Sequence, residues 1–499
     1  MNAIPETTVV LPSQPEATPG FAERLRPKGA QLLLGLGIGI AAEVLLDDTA
    51  YGLGHALFAL FAGGAIAFHG GRESWQRAGE HRWVLGAAVL LVVSTMFHTA
   101  GWLATMSVCA ALVLFALAMQ GWTGERPLAS LRTGHLFASP FKTSFQSLYA
   151  GGVVTAHGLE QAKISSTIGR YFPSALRLFV IVVPPVLILL LLLSSGDVVF
   201  RAKIDAVVQS LTSIELTGFI RGLSITLFIG LPAAGALVMT TRRRDGVQLT
   251  EPRRFLRAFE AFALLGSLTS LLLVFGISST PCAMAPASCE LPAGVTYADA
   301  AHEGFFQLLF AAIGILVLLM ALPARAQLET ARQKLTFTAL STTLVIATFP
   351  MVSSGIARLW RYETTYGLTV LRLLAYSGLF LVTAVLAWRA LTLWTMKNAF
   401  IGGAMAMFTA TMLGLAALSP DAFIARRNLD MANPDLGYLL RLSDEAMVPL
   451  SEYVETIDEP ELRQQIRLEL RGKYLEMSSS RGLEWNPARA RAEKALAPF

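Results

Sequence analysis

Runs of apolar residues, each long enough for five or six helical turns, recur along most of the chain and are separated by short polar stretches. A helix rises 1.5 Å per residue, so about 20 apolar residues cross the hydrocarbon core of a bilayer. Segments of this kind fall at 29–46, 51–69, 84–99, 101–121, 176–195, 218–241, 258–277, 304–322, 335–355, 367–394 and 398–418. They predict an all-α, polytopic transmembrane bundle of about 11 helices. The pair at 84–99 and 101–121 also fits a re-entrant hairpin. Gly-rich LLGLGIGIAAE (33–43) lies inside the first segment rather than after a strand, and FAGGAIA (61–67) and FIGGAMA (400–406) resemble one another. All three read as small-residue faces on which helices pack closely.

Outside these runs the pattern changes. Residues 1–22, rich in Pro, Thr and Glu, lack the basic start and short apolar core of a signal peptide and read as a disordered tail. The first apolar segment is then expected to act as an uncleaved anchor. Residues 23–418 form the bundle, with amphipathic loop helices expected at 122–175 and 196–217. Residues 419–499 form a soluble helical tail of short apolar runs and dense charge. Ser419-Pro420, Asn433-Pro434 and Asn486-Pro487 each place a capping residue before a proline suited to a first helical turn, and Asp458 with Glu461 marks a further start.

Composition agrees with the pattern. Of 499 residues 54% are hydrophobic and only 15% charged, with a mean hydropathy of +0.54. Soluble domains carry about 25% charged residues. The net charge of +5 therefore reads as loop charge facing the cytoplasm, and no nucleic-acid partner is expected. Arg24, Arg26 and Lys28 place the N-terminus inside. Arg72, Arg77 and Arg82, the basic residues of 122–175, Arg242-Arg243-Arg244 with Arg253, Arg254 and Arg257, then Arg325, Arg332 and Lys334, and finally Lys397 mark later inner connections. Asp47-Asp48-Thr49 and the loop 278–303, which has no Lys or Arg, fall outside. An odd helix count leaves the tail extracytoplasmic. Cys282 and Cys289 both lie in that outer loop, where a disulfide is expected, whereas Cys109 reads as a small apolar residue.

Arg358 and Arg361 break the charge pattern, because they fall in an outer connection, and Arg372 lies inside an apolar run. Snorkelling to the interface is one explanation. The other is company: Glu43, Asp47 and Asp48 lie near the outer end of the first segment, His55 and His98 near outer ends, and His302-Glu303 opens another segment from outside. Tyr366, Thr369, Arg372 and Tyr376 share a helical face by the 3.6-residue period. Charges in a bilayer pair or line a wet cavity. An outer-leaflet polar cluster is expected, with Arg372 neutralising Glu43 or Asp47, or as ion pairs that only fix helix packing. Arg389, at an inner end, is expected to snorkel.

Four stretches carry a family resemblance: LLDDTAYGLGHALF (45–58), YADAAHEGFFQLL (297–309), the turn with Arg361, Tyr366-Gly367-Leu368-Thr369 and Arg372, and SPDAFIARRNLD (419–430) followed by DLGYLLRLSDEAMVPL (435–450). From the first segment to about residue 455 the chain resembles the bacterial multi-pass membrane families called domain of unknown function 4153 and 4173. The last stretch departs from the pattern. Where the family has Leu-Ser, one residue and Asp-Ala-x-Pro, this chain reads Ser443-Asp444-Glu445-Ala446-Met447-Val448-Pro449. The resemblance implies a fold and a membrane location rather than a reaction.

No GxxxxGK[ST], HExxH or GxSxG motif occurs, and no cofactor or resident metal is expected. The expected function is that of an inner-membrane protein acting without catalysis in envelope sensing, assembly or partner binding. Its partners are the lipid bilayer and, through the tail, an envelope protein. One alternative is a membrane transferase that uses Asp47-Asp48 on a lipid-linked substrate at the outer face. The other is a transporter coupling through Glu43 and Arg372.

Overall fold

The computed structural model describes residues 28–46, 51–69, 71–123, 133–161, 217–240, 254, 256–284, 297–395, 399–478 and 482–499. The stretches 1–22 and 176–195, Asp47, Asp48, Cys289 and all but the last residue of 196–217 lie outside them, and the side chains of Cys282, His302 and Glu303 are likewise not described.

The described chain is almost wholly helical. The bundle comprises α1 (Gly29–Leu45), α2 (Leu53–His69), α3 (Gly71–Ala78), α4 (His81–Ser94), α5 (Gly101–Thr123), α6 (Thr133–Gln161), α7 (Thr217–Thr240), α8 (Ala258–Met284), α9 (Tyr297–Arg325), α10 (Ala331–Tyr366), α11 (Val370–Trp394) and α12 (Phe400–Leu418). The tail adds α13 (Pro420–Leu429), α14 (Leu436–Leu439), α15 (Met447–Val454), α16 (Pro460–Ser478) and α17 (Pro487–Leu496). Six helices, α5, α7, α8, α10, α11 and α12, are long and apolar enough to cross a membrane. The apolar helices α1 and α2, the stretch His81–Phe97 and the apolar end of α9 are shorter, and these stand where four of the predicted segments lie.

Capping chemistry sets several helix starts. Thr330 accepts from Gln333 N at 3.2 Å while the Gln333 side chain accepts from Thr330 N at 3.1 Å, a capping box that opens α10. Asn486 accepts from Ala488 N at 2.8 Å and opens α17, with Pro487 in the first turn. The start expected at Asn433 comes later: Asp435 caps α14 by accepting from Tyr438 N at 2.9 Å. Arg358 and Arg361 do not sit in a loop. The 36-residue α10 runs on through both and ends at Tyr366.

The glycines of the first segment do what close packing requires. A Cβ at Gly35 or Gly39 would collide with the α7 backbone at Ala234 or Thr226, so α1 and α7 cross with backbones nearly touching. Ser147 of α6 donates to Pro232 O of the same α7 at 2.6 Å. One apolar core joins α2, α4, α5, α7 and α12 and continues without a break into the tail through Leu368, Ile424, Leu439, Leu450 and Leu470. A second holds α8, α9, α10 and α11 around Leu265, Leu319, Leu344 and Leu386. A two-residue parallel pair, Leu256–Arg257 with Ala326–Gln327, ties the start of α8 to the end of α9.

Arg389 does not snorkel. It is buried on α11 and donates to Leu319 O from Nη2 at 2.9 Å and from Nε at 3.2 Å, over the Phe400 ring. The reason is covalent. Pro323 lies four residues after Leu319 in α9 and has no N–H to give that carbonyl, so the guanidinium supplies it.

Candidate functional site

Three connections meet at one end of the bundle: the entry to α2 at Gly52, the stretch 95–100 between α4 and α5, and the turn 367–369 between α10 and α11. The tail lies against all three. Leu53 N donates to Trp485 O at 3.1 Å. Thr99 and Glu445 bond reciprocally: Thr99 N reaches Glu445 Oε1 at 3.0 Å, and Glu445 N reaches Thr99 Oγ1 at 3.2 Å. Asn486 Nδ2 donates to His98 O at 2.9 Å, and Trp102 Nε1 to Asp421 Oδ1 at 3.2 Å. The second Asp421 oxygen accepts from Ser443 N at 3.0 Å.

The turn 367–369 is held most tightly. Asn428 Oδ1 accepts from Leu368 N at 2.6 Å and its Nδ2 donates to Leu368 O at 2.8 Å, so one side-chain amide satisfies both backbone groups of a buried residue. Gly367 makes this approach possible. Its φ is +76°, and a Cβ there would press on the Asn428 amide. Tyr438 Oη accepts from Val370 N at 3.1 Å, and Thr369 caps α11 by accepting from Arg372 N at 3.5 Å.

Around this turn lies a charged group that the sequence located only in part. Glu363, buried in the last turn of α10, accepts from Tyr376 Oη at 2.8 Å and from Arg427 Nε of the tail at 3.1 Å. Arg372 stacks over the Tyr362 ring at 4.3 Å and donates to the carbonyls of Tyr366, at 3.1 Å, and Gly367. Tyr366 is exposed, with its ring 4.7 Å from that of Tyr362. Arg361 lies one turn earlier on α10.

The expected pairing of Arg372 with Glu43 is not formed. The Glu43 carboxylate lies against Gly222 near the start of α7, and Arg372 takes carbonyl and aromatic partners instead. Both residues nevertheless occupy the tail-side end, because α1 leads into the connection that meets Trp485. Asp47 and Asp48 lie outside the described residues. His302 and Glu303 are placed by backbone only, on α9 less than two turns before Leu309, which packs beside Tyr376.

Beside the middle connection, burial acts on titratable groups outside the spans. Burial pushes the Glu445 carboxyl up to about 7, against the lowering effect of Thr99 N–H and Arg491. Burial holds His98 down to about 4, against the raising effect of Asp421. Among the described residues Glu445 Oε2 and Ser443 Oγ are buried without a hydrogen-bond partner. Among the described residues no group of three His, Cys, Asp or Glu converges as a metal site would require.

A family model described as Domain of unknown function (DUF4153) matches residues 85–453. No curated protein and no solved structure matches the chain.

Proposed function

The chain belongs to the domain of unknown function 4153 family, and on that premise we propose that it is an inner-membrane protein of the bacterial envelope acting without catalysis in sensing, assembly or partner binding. The observation that carries this reading is the grip of the tail on three separate inter-helix connections through buried side-chain-to-backbone bonds. A tail so attached fixes how α2, α5 and α11 stand relative to one another. A partner that pulls on or tightens the tail therefore shifts the bundle end as one piece.

The nearby carboxylates support a structural use. Glu363 is taken up by Tyr376 and Arg427, and Asp421 by Trp102 and Ser443 N. Orientation follows the same logic. The helices α2, α4 and α10 each have one end at the tail and carry Arg72, Arg77, Arg82, Arg332 and Lys334 at or beyond the other, and the strand pair just before α10 adds Arg257 and Arg325. The excess of Lys and Arg in inner loops then puts the tail outside.

The test is photocrosslinking in intact envelopes from an unnatural residue at Leu468 or Leu475, both exposed on α16 of the full chain. A discrete adduct with one envelope protein is expected from at least one position. Absence of any adduct from both contradicts the partner-binding role.

A further inference from the structure

Among the described residues Arg372 has partners but no carboxylate within ion-pair distance. Its contacts are two backbone carbonyls and an aromatic ring, and none of these is an acid. Exposed Arg441, just past α14, has no carboxylate within ion-pair distance among the described residues. Arg441 N donates to Tyr438 O at 3.1 Å, and the Tyr438 hydroxyl lies in the fields of the Asp421 carboxylate and of both guanidinium groups. That hydroxyl accepts from Val370 N and keeps its own proton to donate. Val370 opens the 25-residue α11, whose first turn carries the positive end of the helix dipole. Among the described residues, two nearby acids have other partners: Glu363 binds Tyr376 and Arg427, and Asp421 binds Trp102 and Ser443 N.

We infer that Arg372, Arg441 and the Tyr438 hydroxyl form a binding site for the phosphate of an anionic lipid headgroup. Guanidinium groups suit a phosphate because planar donors meet its oxygens in pairs. The depth suits a lipid rather than a free anion. Arg372 is the third residue of a helix long and apolar enough to cross a membrane. Leu371 (58% exposed) beside it in the chain, Tyr366 (58%), whose carbonyl it binds, and Trp360 (55%) in the last turns of α10 give the apolar and aromatic surface that a membrane interface selects. A lipid docked there lays its chains along that surface and its phosphate between the arginines. This also accounts for arginines at the end where the alternation of basic loops does not call for them. The inference concerns a ligand of the bundle end and stands whether or not the tail recruits a protein partner.

The experiment uses the full chain in nanodiscs, with lipid retention read by native mass spectrometry. The wild type is expected to retain phosphatidylglycerol over phosphatidylcholine by about tenfold, the ratio one charge-assisted contact supplies. Arg441→Gln, a surface change that leaves packing intact, is expected to remove most of that preference, as is Arg372→Gln. Lys494→Gln, a cation of α17, is expected to leave it unchanged. Equal retention of the two lipids, an unaltered preference in Arg441→Gln, or an equal loss in Lys494→Gln overturns the site. Inorganic phosphate at millimolar concentration displacing phosphatidylglycerol overturns the lipid assignment.

Discussion

Glu445 and His98 face each other's surroundings with opposite electrostatic demands, and their balance gives the docked tail a pH optimum. Glu445 is raised from 4.5 to about 7, so the docked state prefers it protonated. Its contribution is complete below pH 4.5 and is lost as pH rises through 7. His98 is lowered from 6.5 to about 4, so docking prefers it neutral. That contribution is complete above pH 6.5 and is lost as pH falls through 4. Besides burial, the groups that act on these two are Asp421 on α13, Arg491 on α17, and Thr99 and Ala100 between α4 and α5. Between about 4.5 and 6.5 the two slopes cancel, and tail docking is strongest there. Limited proteolysis of the tail across pH is expected to show release rising from pH 6.5 to 8, and Glu445→Gln is expected to abolish that rise. The same rise in Glu445→Gln contradicts the assignment. Little of this was legible beforehand. His98 was placed at an outer helix end from charge alone, and the turn with Tyr366, Thr369 and Arg372 was singled out. Glu445, Asn428 and Glu363 were not, because their partners lie 346, 60 and 64 positions away, a separation that no local pattern encodes.

Helix positions were legible because hydrophobic length is a local property. Ten of the expected segments have helices in their places, and 176–195 lies outside the described residues. Helix ends were less so. The apolar stretch at 335–355 gave no reason to extend α10 to Tyr366, yet charged residues at a membrane boundary cost little and propagate a helix well. Arg389 shows the same gap between local reading and tertiary answer. Pro323 strips Leu319 O of its donor, and a residue 70 positions away replaces it. The two defects should therefore be coupled. Arg389→Leu leaves the Leu319 carbonyl buried and unpaired, at about 1–3 kcal/mol, offset in part because a buried charge is removed. Pro323→Ala returns an N–H to that carbonyl. Thermal unfolding of both single variants and the double variant is expected to show Arg389→Leu costing at least about 1 kcal/mol less on the Pro323→Ala background. Additive costs contradict the link.

At the scale of the whole molecule, the helices alternate between an end rich in basic connections and an end capped by the tail. Loop charge marks the connection at 47–49 as outer, and helix alternation puts His98 and the turn before Arg372 on that same side, the turn against its own basic residues; the tail binds nearby at Leu53, Thr99 and Leu368. The resemblance to the family located the same turn and the tail stretch from 419 to 450. What neither could supply was how the two meet, since an amide that mimics a paired strand has no sequence signature. The central claim is that the tail and bundle end form one cooperative unit. Four backbone amides, those of Leu53, Thr99, Leu368 and Val370, donate into tail groups. Amide hydrogen exchange of the full chain in nanodiscs tests this directly. All four are expected to exchange slowly in the wild type and to accelerate together in Asn428→Ala, whose loss strands both backbone groups of Leu368. Exchange of these amides at the rate of open loops, or acceleration confined to Leu368 alone, would contradict the account.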